Sequence, residues 1–324
     1  MQAAVRDVYG PPEVVAVRDV ERPEPRADEV LVKVCAAGVG PEVWHLMAGL
    51  PYAVRLVYGL RRPRDPVLGW DLAGRVESVG AKATAWKPGD EVFGAGVGTF
   101  AEYARAKATL LAAKPGALSY EQAAAIPVSA QTALQALRDK GRVRAGQRVL
   151  VIGASGGVGS YAVQLAVAFD TEVTGVCGPG GIGHVKALGA AEVIDYTRED
   201  VTDRDGRYDV VLDAAGNRPL SRLRRVLTPH GRLVLIGGEG GGRVLGMGRA
   251  LKAQAMSPFL RQDLGSFLAK TRAADLDTLA GLIETGKLKP VIDRVLPLPE
   301  AADAIRHLRE GHPHGKIVLT VAES

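Results

Sequence analysis

Between Val149 and Phe169 the chain changes its hydrophobic rhythm. The run VLVI is unbroken apolar, as in a strand buried on both faces. GASGGVG then interrupts it, and Val158, Ala162, Leu165 and Ala166 recur at helical spacing. The pattern predicts a strand, a tight glycine turn and a helix. Downstream, TEVTGVCG, AEVIDY, YDVVLDAAG and GRLVLIGG are short runs rich in valine, isoleucine and leucine, separated by segments of helical length. Five such units predict an α/β fold with a doubly wound parallel sheet. Its strand ends near Asp213 and Gly237 then border one crevice, where ligands of such sheets bind.

The rest of the chain has a different pattern. Up to about residue 118, strand-like runs such as EVLVKVCAAG and LAGRVESVG alternate with glycine and proline turns, which predicts a mostly β domain. Ser119 followed by Gln122 is a capping-box pattern that opens the helical stretch EQAAAIPVSAQTALQAL and marks a boundary. From Arg249 to Gly286 the spacing predicts two helices about a short strand. PVIDRVLP, PEAADAIRHLREG and GKIVLTV then read as strand, helix and strand. This tail is expected to return to the first domain, giving residues 1–119 completed by 273–324, and 120–272. The glycines at 178–183 and 237–242 read as loops.

Composition narrows the class. A chain of 324 residues with 47% hydrophobic and 24% charged positions is an ordinary globular protein with room for two domains. Its net charge of +5 is scattered, with only brief clusters such as Arg61–Arg64 and Arg222–Arg225, which argues against nucleic acid as a partner. Cys35 and Cys177 lie in apolar strand-like runs and imply no disulfide framework. The start, MQAAVRDVYG, lacks the charged-then-apolar order of a signal peptide, and no apolar stretch reaches spanning length. A cytoplasmic protein with a small-molecule substrate and no membrane partner is expected.

The glycine turn carries the candidate chemistry. Gly153, Gly156 and Gly159, with Ala154, Ser155, Gly157 and Val158 between them, remove side chains where the backbone must turn. They let a pyrophosphate reach the free amides at the helix start, where the dipole favours an anion. A dinucleotide is the ligand class this implies. An NAD site takes a carboxylate about 20 residues on, whereas NADP takes a cation or hydroxyls for its 2′-phosphate. The corresponding residues here are Cys177 and Gly178, with no acid.

With these pieces in order, the chain resembles the medium-chain dehydrogenase/reductase superfamily, in its zinc-free quinone oxidoreductase (zeta-crystallin)-like branch. The resemblance runs from end to end through VYGPPEVV, EVLVKVCAAGVG, PVLGWDLAGRVESVG, KPGDEVFG, PVSAQTALQAL, GASGGVG, ALGAAEVIDY, SPF and GKIVLTV. It implies a GroES-like β-rich catalytic domain beside a Rossmann nucleotide domain, a homodimer, and NADPH as cofactor with NADH still open. Zinc-dependent relatives need ligands on separated segments. Here GVGPEVWH has no cysteine, Trp70 stands at the position of their histidine, and Asp71 is left without partners. No metal is expected.

The resemblance also implies roles for individual residues. Thr132, Asp213, Gly237 and Lys316 match positions near the nicotinamide or its ribose. Tyr196, with Lys186 as a second candidate, matches the 2′-phosphate end. Asp213 reads equally as a strand-end turn. The Ser-Thr-Arg type sequence of NADPH-using relatives is replaced by Gly178-Pro179-Gly180. Tyr52, Trp44 and Trp70 are the catalytic-site candidates, with Tyr52 positioned to hydrogen-bond a carbonyl. Relatives carry asparagine and aspartate in Asn-Pro-x-Asp-Trp, whereas this chain has Gly40-Pro41-Glu42-Val43-Trp44. Both polar positions are lost, and Glu42, as a neighbour on the same element, is expected to point elsewhere. The preferred activity is reduction of a quinone or activated alkene or carbonyl by hydride transfer. The alternatives are a repurposed biosynthetic enzyme of the same fold and a non-catalytic nucleotide- or RNA-binding protein.

Overall fold

The structure is a computed structural model that describes residues 1–204, 207–236, 248–311 and 313–321. The expected site residue Gly237 lies outside the described residues. Two compact units are present, Met1–Gln131 with Thr271–Ser324, and Thr132–Lys270.

The first segment supplies strands β1 (Gln2–Val5), β2 (Ala16–Asp19), β3 (Glu29–Val39), β4 (Asp71–Val79), β5 (Glu91–Ala95), β6 (Tyr103–Lys107) and β7 (Leu111–Ala113). Its helices are α1 (Pro41–Ala48), α2 (Val54–Tyr58), α3 (Tyr120–Ala124) and α4 (Pro127–Gln135). The capping box at α3 is complete: the Gln122 amide donates to Ser119 Oγ at 3.2 Å and the Ser119 amide donates to Gln122 Oε1 at 3.0 Å. The long helix expected after it is broken in two, because Pro127 restarts the chain as α4. The division between the units then falls inside α4, so the helix capped by Ser119 belongs to the first unit.

The second unit contains β8 (Arg148–Ile152), α5 (Gly157–Ala168), β9 (Glu172–Cys177), α6 (Ile182–Ala187), β10 (Glu192–Asp195), β11 (Tyr208–Asp213), α7 (Leu220–Arg225), β12 (Leu227–Leu235), α8 (Gly248–Met256) and β13 (Asp263–Ser266). Its parallel sheet runs β10-β9-β8-β11-β12-β13. The order reverses at β8, so the turn that follows it lies at the switch point where ligands bind in open α/β sheets. Val149, Leu150, Val151 and Ile152 are all buried, as a central parallel strand covered on both faces requires. Helix α5 forms where the helical spacing predicts it, with Gly159 to Ala166 buried without a break and only its ends reaching solvent.

The chain then returns to the first unit as α9 (Ala273–Glu284), β14 (Ile292–Pro297), α10 (Ala301–Glu310) and β15 (Lys316–Thr320). Strand β15 pairs antiparallel with β3 and parallel with β14, completing a sheet of order β14-β15-β3-β4-β5-β7. Val30, Val32, Val34, Leu72, Val92, Ile305, Ile317 and Leu319 form the centre of the core. Among the described residues no helix is long and apolar enough to cross a membrane.

Candidate dinucleotide and catalytic sites

In the second unit the glycine turn has three separate geometric requirements. Gly153 has φ of 82°, a left-handed conformation that a side chain disfavours. Its amide and that of Ala154 both donate to Val176 O at 3.0 Å, which fastens the turn to β9. At Gly159 a Cβ would stand 2.8 Å from Ala154 Cα and would also strike the Gly153 carbonyl, so this glycine lets helix and turn close together. Gly156 differs. It is the N-cap of α5 and makes no side-chain cap bond, and a Cβ there would find only Gly153 O, at 3.5 Å. The protein leaves this space open beside the amides of Gly157, Val158 and Gly159. A phosphate fits such a cradle.

The far end of the crevice lies beyond β9. Gly178 follows that strand, and the Tyr196 amide donates to Cys177 O at 3.1 Å. The Tyr196 hydroxyl lies 3.3 Å from where a Gly178 side chain would begin, with the ring half exposed. Gly181 packs against Ser155, and Lys186 is exposed on α6. Thr132 is buried in α4. Asp213 is fully buried and uses both oxygens: Oδ1 accepts from the Gly216 amide at 2.9 Å, and Oδ2 meets Arg249 Nη2 at 2.7 Å. The strand-end turn is therefore present, together with an arginine that sequence spacing gave no reason to pair with it.

In the first unit, α1 carries the departures from the Asn-Pro-x-Asp-Trp pattern. Val43 is fully buried in the apolar core, where its burial contributes about 1.5–3 kcal/mol and offers no polar atom. Trp44 packs against the same core under the Arg309 guanidinium, 3.9 Å from its ring centroid. Tyr52 is 47% exposed with Arg55 stacked 4.9 Å away, and Trp70 is half-buried at the start of β4. Glu42 corrects the expectation for a neighbour on one helix. Its carboxylate folds back over Gly40, with Cδ 2.6 Å from where a Cβ on residue 40 would stand.

Beside it lies a buried pair. Lys316, at the start of β15, donates from Nζ to Asp71 Oδ2 at 3.3 Å, and Asp71 Oδ1 accepts from the Val128 amide at 3.1 Å. Burial pushes the Asp71 carboxyl up to about 7, against the pull of Lys316 and with Glu42 adding to the rise. Burial likewise raises the thiols of Cys35 and Cys177, so both are inert packing groups.

Residues 26–116 match the family profile described as alcohol dehydrogenase GroES-like domain, and residues 188–319 match the one described as zinc-binding dehydrogenase. A quinone-oxidoreductase homolog, chloroplastic, from Spinacia oleracea is 35% identical over 314 residues, covering 93% of this chain and 92% of that protein. The chain belongs to the medium-chain dehydrogenase/reductase superfamily, in its zinc-free quinone oxidoreductase-like branch. It is an oxidoreductase with the nicotinamide-dinucleotide-binding fold of this superfamily. Another medium-chain relative, the NADPH-dependent alkenal/one oxidoreductase, chloroplastic, of Arabidopsis thaliana, is 33% identical over 98% of this chain and 79% of its own length. The solved quinone oxidoreductase of Coxiella burnetii superposes with a TM-score of 0.86 at 30% identity, covering 99% of each chain.

The zinc of other medium-chain dehydrogenases does not fit this donor set. Trp70 offers no ligand, and the one retained carboxylate, Asp71, already faces the Lys316 ammonium. Among the described residues no three His, Cys, Asp or Glu side chains gather as a metal site requires.

Proposed function

We propose that this oxidoreductase reduces quinones or other activated alkenes and carbonyls, with NADPH as hydride donor and no metal. The observation that carries the reading is the open space at Gly156 beside the uncapped start of α5, in a turn otherwise packed tight. Residues Gly153 to Gly159 would hold the pyrophosphate, and Tyr196 and Lys186 the 2′-phosphate end. Thr132, Asp213 and Lys316 would lie toward the nicotinamide, whose bound reduced form supplies a hydride. The absence of an acid after β9 and the NADPH in the name of the Arabidopsis relative favour NADPH.

The acceptor class follows from what α1 lacks. With Gly40 and Val43 at the two polar positions, a localised alkoxide would gain little stabilisation. A quinone or enone spreads the developing charge over conjugated oxygens that water can protonate. Tyr52 would polarise its carbonyl, with Trp44 and Trp70 shaping the apolar wall. In this reading residues 1–119 with 273–324 form the catalytic domain and 120–272 the dinucleotide domain, in a homodimer.

Titration of the purified protein with NADPH and NADH, followed by reduced-nicotinamide fluorescence, tests the reading before any acceptor is chosen. Preferential NADPH binding and turnover in a quinone and enone screen support it. Silence with both reduced and both oxidised dinucleotides overturns it.

A further inference from the structure

Helix α2 is built inside out. Its one charged side chain, Arg55, turns inward: Nε donates to Gly49 O at 3.0 Å, and the guanidinium stacks on the rings of Tyr9 and Tyr52 at 4.6 and 4.9 Å. Apolar side chains face solvent instead, with Leu56 69% and Val57 64% exposed, and Leu60 just beyond the helix at 67%. A surface helix of a globular protein has the opposite arrangement. Hydrogen bonds fasten the inversion in place. The Gly59 amide donates to Arg55 O at 2.9 Å, the Arg64 amide to Tyr58 O at 2.8 Å, and the Tyr9 hydroxyl to Gly59 O at 2.7 Å. Gly59, with φ of 119°, makes the turn that folds residues 60–64 back on the helix. Large apolar side chains grouped at the surface mark an interaction site.

The neighbouring charges say what covers them. Arg61, Arg62 and Arg64 are exposed, and their side chains form no ion pair among the described residues. Asp7, which feels Arg62, is already gripped by Arg18 at 2.6 and 2.9 Å. From residue 53 to residue 64 the chain has no Asp, Glu, Ser, Thr, Asn or Gln, so the segment offers apolar surface and positive charge with little else for directional recognition. A second copy docked on this same face about a two-fold axis would set arginine against arginine. A layer of anionic headgroups over hydrocarbon accommodates both features at once.

We infer that residues 53–64 dock this protein on the surface of bilayers that contain anionic phospholipid. Leu56, Val57 and Leu60 enter the boundary between headgroups and acyl chains, while Arg61, Arg62 and Arg64 stay with the phosphates. Among the described residues no helix is long and apolar enough to cross a membrane, and a contact of this kind needs none. It involves one segment of the first unit, goes beyond the reductase reading and does not depend on a bound dinucleotide.

The test sediments full-length protein with vesicles of phosphatidylcholine alone and of phosphatidylcholine mixed with phosphatidylglycerol. The wild type is expected to bind the mixed vesicles at least about tenfold more tightly than the neutral ones, and to be released as salt rises. Two triple variants separate the contributions. Leu56→Ser with Val57→Ser and Leu60→Ser should weaken binding to the mixed vesicles at least about tenfold, while melting temperature and oligomeric state hold because the side chains removed are exposed. Arg61→Gln with Arg62→Gln and Arg64→Gln should abolish the preference for the mixed vesicles. A wild type that ignores those vesicles overturns the inference, as does an arginine variant that keeps the preference. Undiminished binding by the serine variant also overturns it, by reducing the contact to charge alone. A serine variant that changes oligomeric state overturns it in favour of a second copy on this face.

Discussion

Lys316 Nζ lies 3.3 Å from Asp71 Oδ2, and neither side chain reaches solvent by more than 3%. Breaking a buried pair leaves an uncompensated charge, whereas replacing both partners with apolar groups can be close to neutral. Asp71→Ala is expected to cost about 3–5 kcal/mol in denaturant unfolding, and Asp71→Ala with Lys316→Met to recover most of it. A double variant as unstable as the sum of the singles would show that the two side chains do not act as a pair.

The same pair sets a pH dependence. In the unfolded chain an aspartate releases its proton near about 3.9, whereas burial holds Asp71 up to about 7. Between those values the folded state binds more protons than the unfolded state, so this group makes stability fall as pH rises, levelling above about 7. Melting temperatures of the wild type and Asp71→Asn across pH 4–8 check this. The variant should lack that component of the slope.

Two glycines of one turn should respond differently to the same change. Gly156→Val enters open space, so the fold should hold while NADPH affinity drops by at least about tenfold, or 1.4 kcal/mol. Gly159→Val drives a side chain into the Gly153 carbonyl and Ala154 and should destabilise the unit itself, by about 1–3 kcal/mol or more. Thermal melts beside fluorescence titrations separate the two. Equal loss of stability in both would mean that Gly156 is also a packing glycine.

Cofactor choice should turn on Gly178. Gly178→Asp places an acid where a ribose diol would be bound and a 2′-phosphate repelled. NADH should then bind more tightly than NADPH, a shift of about tenfold or more in the ratio of their dissociation constants. Titrating both dinucleotides against wild type and variant measures it, and an unchanged ratio would remove the end of β9 from the site.

Tyr52→Phe should lower kcat on quinones severalfold, by about the 0.5–1.5 kcal/mol of one hydrogen bond, if the half-exposed hydroxyl polarises the acceptor. Steady-state kinetics at saturating NADPH read this directly, and an unaltered rate would leave Tyr52 as a surface aromatic stacked on Arg55.

The parallel sheet was legible because central strands buried on both faces give uninterrupted apolar runs such as VLVI, and the capping box because its two partners are three residues apart. The buried pair was not, since Asp71 and Lys316 are 245 residues apart and meet only when β15 settles beside β3. Glu42 was misjudged for a local reason. Alternation of side chains along an element assumes a side chain at every position, and Gly40 lacks one. A carboxylate two places after a glycine that replaces a polar residue was the signal available. The pairing of Asp213 with Arg249 had no comparable trace.

Strand β15 has one more consequence. It is the last of the described elements, yet it lies inside the sheet of the first unit, between β14 and β3. During synthesis the first 131 residues emerge without it, and Thr132–Lys270 is then complete before Lys316 has been made. Domains generally fold as units, so the segment in the middle of the chain has the opportunity to finish first. Until β15 arrives, the first unit has an unpaired edge at β3 and an aspartate without its cation.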